Sequence, residues 1–195
     1  MDAYHEHCRK SAERFASTTD PVTAEHIAKA CLILPASGAD LAIVGRLADT
    51  SASASTKSGS DAARLEFPKG LMEYRQGHFA SAVESMQKVL THSGSVEAYM
   101  VLAMAKCQLK QIDEARSALA IGVEIAETKL PKLDSGGLGY DWADWVIAHA
   151  LMREAKALIE HAPQPASEKS RTGVQSRELP RGSQSATPST QPKSE

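Results

Sequence analysis

The sequence predicts an all-α fold: stacked antiparallel helical hairpins followed by a disordered C-terminal tail. Three observations carry this expectation. Apolar residues recur at spacings of 3 and 4 along most of the 195 residues, and no run of period 2 is bounded by hairpin turns. Two helix–break–helix units stand in tandem between residues 63 and 130, related by an offset of 33. Residues 163–195 hold five of the nine prolines and seven serines, with only Val174 and Leu179 as large apolar residues. Such a segment buries too little surface to offset the entropy of ordering it.

The elements follow in chain order. Residues 1–52 read as N-terminal helices forming a degenerate repeat. A first helix spans roughly Asp2 to Phe15. Asp20-Pro21 opens the next, because an aspartate accepts from free amides of the first turn and a proline at the first helical position gives up no hydrogen bond. It carries Ile27, Ala28, Ala30, Cys31 and Leu34 and stops at Pro35. Its partner runs from about Ala39 to Ala52, with Leu41, Val44, Leu47 and Ala48 on one face. Residues 53–62 form a serine-rich loop.

Residues 63–130 read as two hairpins. Leu65–Arg75 and Val96–Leu109 are the first helices, and Pro68 is expected to delay the start of the former until near residue 68. The second helices carry Phe79, Ala82, Val83, Met86 and Leu90, then Ala115, Ala118, Leu119, Gly122, Val123 and Ala126. The breaks fall at Gln76-Gly77-His78 and Lys110-Gln111-Ile112. Placing Gly77 opposite Lys110 also superimposes Gly70 on Ala103, Ala82 on Ala115 and Met86 on Leu119. Residues 131–161 read as a glycine-rich loop and a capping helix from about Trp142 to Ile159. Asp141 is its expected cap, with Asp144 three residues on. Trp142, Trp145, Val146 and His149 share a face, so both tryptophans are expected against the preceding hairpin. Residues 162–195 are the tail.

Small residues in close-packed helices, with Tyr99, Leu102, Ala103 and Ala115 in the second unit and Gly70, Gly77, Ala82 and Met86 in the first, resemble the tetratricopeptide repeat (TPR). A closer resemblance covers roughly residues 4–160. The segments TTDPVTAEHIAKACLILP, KGLMEYRQGHFASAVESMQKVL and ETKLPKLDSGGLGYDWADWVIAHALMREAKALI look like the C-terminal TPR-like region of large bacterial serine/threonine protein kinases. The resemblance implies a helical superhelix that accompanies a kinase, without the kinase itself. Residues 51–68 depart from the pattern.

Composition narrows the function. The formal charge of −2, split as +2 in the tail and −4 elsewhere, supplies no positive field for nucleic acid. The N-terminus lacks an apolar run of about 7–15 residues typical of secretory signals, and no stretch approaches the ~20 apolar residues of a membrane span. Cys8, Cys31 and Cys107 form an odd, widely spaced set without CxxC, which points to reduced core thiols and a cytoplasmic location. Phosphoryl transfer needs a phosphate-covering loop, a lysine and metal-binding aspartates in set patterns, and none is present. Gly136-Gly137-Leu138-Gly139 lacks GxGxxG spacing, and Asp134, Asp141 and Asp144 miss the calcium-loop pattern. His5, His7 and Cys8 include zinc-ligating types, yet point apart on a helix and have no second ligand pair. No catalytic residue, cofactor or metal is therefore expected.

The TPR resemblance implies instead a partner-binding groove lined by the first helix of each repeat. Its positions are Arg64, Phe67, Leu71, Tyr74 and Arg75 in one copy, and Glu97, Met100, Met104, Cys107 and Gln108 in the other. The Lys and Asn pair by which some TPR proteins clamp a C-terminal carboxylate is missing. An apolar, methionine-bearing groove suits a helix or extended peptide. Packing against a neighbouring helix explains the same residues. The expected function is a non-enzymatic protein-protein interaction module, kinase-associated, with a protein or peptide partner. Two alternatives stay open: a kinase-family member without its catalytic domain, and a small helical enzyme using His149 or the Asp141 and Asp144 pair.

Overall fold

A computed structural model describes residues 2–55, 61–131 and 142–162. These residues form helices α1 (Asp2–Phe15), α2 (Pro21–Leu32), α3 (Leu41–Ala52), α4 (Ala62–Arg75), α5 (Phe79–His92), α6 (Val96–Gln108), α7 (Ile112–Lys129) and α8 (Trp142–Glu160), with no strand among them. The tail from residue 163, the glycine cluster and Asp141 lie outside the described residues.

The helices pair as α2/α3, α4/α5 and α6/α7. Each second helix also packs on the first helix of the next pair, and successive first helices touch one another, whereas the second helices make no comparable contact. The stack therefore curves towards α2, α4, α6 and α8, which form its inner layer. Helix α1 covers the open side of α2 with Tyr4, Cys8 and Ala12, one residue per turn, and the Tyr4 hydroxyl donates to the Ala30 carbonyl at 2.9 Å.

Local chemistry sets the boundaries. Asp20 accepts from the Thr23 amide at 2.8 Å and Pro21 opens α2, as the sequence predicts. Asp40 caps α3 in the same way, accepting from Ala42 at 2.8 Å, so α3 begins two residues later than the expected Ala39. Ser95 caps α6 through the Ala98 amide.

The two central hairpins close identically, and the 33-residue offset holds at atomic detail. Gly77 sits at φ +83 and Lys110 at φ +65. In the first turn the Gly77 amide donates to Tyr74 O at 3.0 Å and the His78 amide to Glu73 O at 2.9 Å. In the second, the Lys110 amide donates to Cys107 O at 3.0 Å and the Gln111 amide to Lys106 O at 2.9 Å. Both are Schellman caps, which satisfy the last carbonyls of a helix through one left-handed residue. Small residues then let the paired helices approach. A Cβ at Gly70 would overlap Met86 Cε and stand 2.9 Å from Ser85 Cβ. One at Gly122 would overlap Met100 Cε and stand 2.9 Å from Tyr99 Cβ. Each hairpin thus takes a methionine over a glycine, with the glycine on α4 in one and on α7 in the other.

Two sequence expectations are corrected. Helix α4 does not wait for Pro68: it starts at Ala62 and runs through the buried proline. Pro68 withholds the amide that the Arg64 carbonyl would accept, and one residue on the Leu65 carbonyl takes an additional bond from the buried Ser51 hydroxyl at 2.7 Å. Helix α8 turns a different face inward. Ile147, Ala148, Leu151, Ala155 and Ile159 are buried, while Trp142 is 60% exposed and Val146 is also exposed. Trp145 is half-buried, stacks on His149 with ring centroids 3.9 Å apart, and donates its indole N–H to the Pro131 carbonyl at 2.8 Å.

Candidate functional site: the inner face and its cleft

Helix α8 decides what the inner face exposes. Helices α4 and α6 lean mainly on the second helix before them, but α8 packs more extensively on α6 than on α7, and so lies over the inner layer. Ion pairs tie it further along the stack. Arg75, with its side chain 4% exposed, donates to the carbonyls of Leu32 and Ile33 at 3.0 and 2.9 Å and to both carboxylate oxygens of Glu154, one at 2.8 Å. One guanidinium thereby satisfies free carbonyls at the end of α2 and clamps α8 to α4. Lys29 of α2 bonds Asp144 of α8 at 2.8 Å.

The expected groove is therefore largely closed. Leu71, Tyr74, Met100 and Met104 are buried core residues, a correction to their reading as an exposed binding surface. Met100 fills the space above Gly122. Burial and the nearby charge of Glu154 push the Tyr74 hydroxyl up to about 12, and the Gln108 side chain hydrogen-bonds it. Arg64 and Phe67 remain at the edge of an opening, although little of Phe67 is exposed.

That opening is a cleft of about 290 Å³ bounded by Lys29 of α2, Arg64 and Phe67 of α4, Ser95 and Glu97 at the start of α6, and Asp144 of α8. Ala63 and Val89 add apolar wall, and Asp61 and Ser93 stand at its margin. Behind it Glu25, fully buried, pairs with Lys29 at 2.8 Å and Arg64 at 2.9 Å, and His26 approaches at 3.2 Å. Burial disfavours the Lys29 ammonium, but the charge of Glu25 and the bonds to Asp144 and Glu25 outweigh it and hold its pKa above the ordinary range. Glu97 differs. Burial raises its carboxyl above the ordinary range and the Asp144 charge adds to this; its own amide, the Ser95 hydroxyl and the Lys29 charge only partly oppose it, and no described cation lies within ion-pair distance. A wider, shallower groove of about 630 Å³ between α7 and α8 has an apolar floor of Leu119, Val123 and Ile159. Its charged lining residues come from two helices only, whereas polar groups from four elements converge on the inner cleft, which is the better site.

The other candidates resolve simply. His5 lies against Gly38 and Tyr4, His7 is exposed and Cys8 is buried, so the three do not converge. Among the described residues no group of three or more potential ligands is placed to hold a metal. His149 bonds its own helix at Trp145 O, 3.0 Å away, and Asp144 is engaged by Lys29. All three cysteines are buried free thiols; burial and the adjacent Cys8 push Cys31 up to about 12, which makes it unreactive. No described helix is long and apolar enough to cross a membrane.

Sequence reasoning names Arg64, Phe67 and Glu97 through the TPR resemblance but misses Lys29 and Asp144 as cleft walls. Their apposition spans 115 residues, and nothing local announces it. No protein-family model, curated protein or solved structure matches this chain.

Proposed function

We propose that the chain is a non-enzymatic, TPR-like interaction module that binds a protein partner through the inner-face cleft. The observation that carries this reading is the convergence of Lys29, Arg64, Glu97 and Asp144, from all four inner helices, on one opening that is both apolar-walled and charged. Such a combination orients a polypeptide segment by a few polar contacts while its apolar surface is covered. Helix α8 acts as a built-in wall that takes over most of the groove expected from the repeats and leaves the partner this end of it. The resemblance to kinase-borne TPR regions favours a regulatory role beside a serine/threonine protein kinase in the cytoplasm.

Affinity capture from lysate of the source cells tests the reading. A partner retained by the wild type is lost with Glu97→Lys, which adds a bulky cation to the cleft. Equal retention by both proteins refutes binding at this site.

A further inference from the structure

We infer that the cleft is a receptor for a single lysine or arginine side chain of the bound polypeptide, with the Glu97 carboxylate as its counter-charge. This rests on the cleft being a protein-binding surface and specifies the chemistry it selects. The charge balance is uneven. Lys29 is held by Glu25 and Asp144, both at 2.8 Å, and Arg64 by Glu25 at 2.9 Å and Asp61 at 3.7 Å. Two cations thus face four carboxylates once Glu97 is included, and both cations are already engaged. An anionic ligand would have to strip one of them from Glu25, which is fully buried and could not follow it to water.

The shape fits the same occupant. Ala63, Phe67 and Val89 offer apolar wall for a methylene stem, and Ser93 and Ser95 offer hydroxyl oxygens beside the charged head. Glu97 stands in the first turn of α6, where the helix dipole favours negative charge. Its carboxyl is nevertheless held towards the neutral form by burial. A carboxyl that the backbone favours as an anion, that burial penalises as one, and that has no described cation within ion-pair distance, the Lys29 charge acting on it only from farther off, is completed by a cation brought from outside.

The test is a titration of the isotopically labelled full chain with N-acetyl-arginine methylamide, followed by amide chemical shifts. Parallel arms use the citrulline analogue, which keeps the shape without the charge, and N-acetyl-glutamate methylamide. Saturable shifts centred on Arg64, Ser95–Ala98 and Asp144 are expected with arginine, with affinity about tenfold weaker for citrulline or for Glu97→Gln, since a charge-assisted hydrogen bond is lost. Equal response to arginine and citrulline, stronger response to glutamate, or no saturable shift at the cleft overturns the inference. The citrulline arm needs no variant, so the outcome holds even where Glu97→Gln alters folding. If arginine binds while lysate capture is indifferent to Glu97, the receptor stands and the partner-binding reading falls. The converse pattern separates them the other way.

Discussion

Exchanging the turn residues of the two central hairpins tests the repeat at its most specific point. Lys110 occupies φ +65 in an exposed turn whose hydrogen bonds match, within 0.1 Å, those around Gly77. An L-residue in the left-handed region gives up about 1–2 kcal/mol. Glycine avoids that strain but loses about 0.5–1 kcal/mol more backbone entropy on folding. Lys110→Gly is therefore expected to stabilise the protein by about 0.5–1 kcal/mol. Gly77→Lys should cost a similar amount, because a Cβ at Gly77 meets nothing closer than Phe79 Cζ at 4.0 Å and the penalty is conformational alone. The two sites lie in separate hairpins, so the double exchange should return to wild-type stability within about 0.5 kcal/mol. Urea unfolding reads all three values from the midpoint at constant slope. Destabilisation by Lys110→Gly, or a double variant far from wild type, would refute the equivalence of the turns.

Further predictions concern the inner face and its packing. Arg75→Met removes the clamp on α8 and leaves two carbonyls and Glu154 without their donor; since Glu154 keeps some access to water, the expected loss is about 2–4 kcal/mol in the same assay. Gly122→Ala forces α6 and α7 apart at Met100 and Tyr99, and the overpacking cost exceeds the gain in helix propensity, for a net loss of about 1 kcal/mol and a lower thermal midpoint. Glu97 has a folded-state pKa raised by burial, so its contribution to stability is present at acid pH and is lost as pH rises from the ordinary glutamate range through the raised value. Glu97→Gln should accordingly be more stable than wild type at neutral pH, with the difference vanishing in acid; an equal difference at both pH values would contradict this.

Much of the fold was legible because it is local. Asp20-Pro21 marks a helix start whatever the tertiary context, and the offset of 33 aligned Gly77 with Lys110 although their side chains share nothing. Asp40 was missed because Ala39 and Leu41 fit the apolar periodicity on both sides of it. Pro68 misled because it removes one amide donor, the partner of the Arg64 carbonyl, from a helix that its buried residues hold on both sides of the proline. On α8 the large rings of Trp142 and Trp145 outweighed Ile147, Leu151 and Ile159 in the reading of its buried face. Its position over the inner layer depends on pairs such as Arg75 with Glu154 and Lys29 with Asp144, distant in sequence and set only by how the hairpins stack. For that reason the groove residues were recognised as a set, while their burial was not.

The most direct test of where the partner docks is site-specific photo-cross-linking in source cells. A benzophenone amino acid at Ser93, exposed at the cleft margin, is compared with the same group at Gln87, exposed on the second helix α5. A discrete adduct from position 93 that is absent from position 87 and disappears with Glu97→Lys is the predicted result. Adducts from position 87 alone would contradict binding at the inner-face cleft.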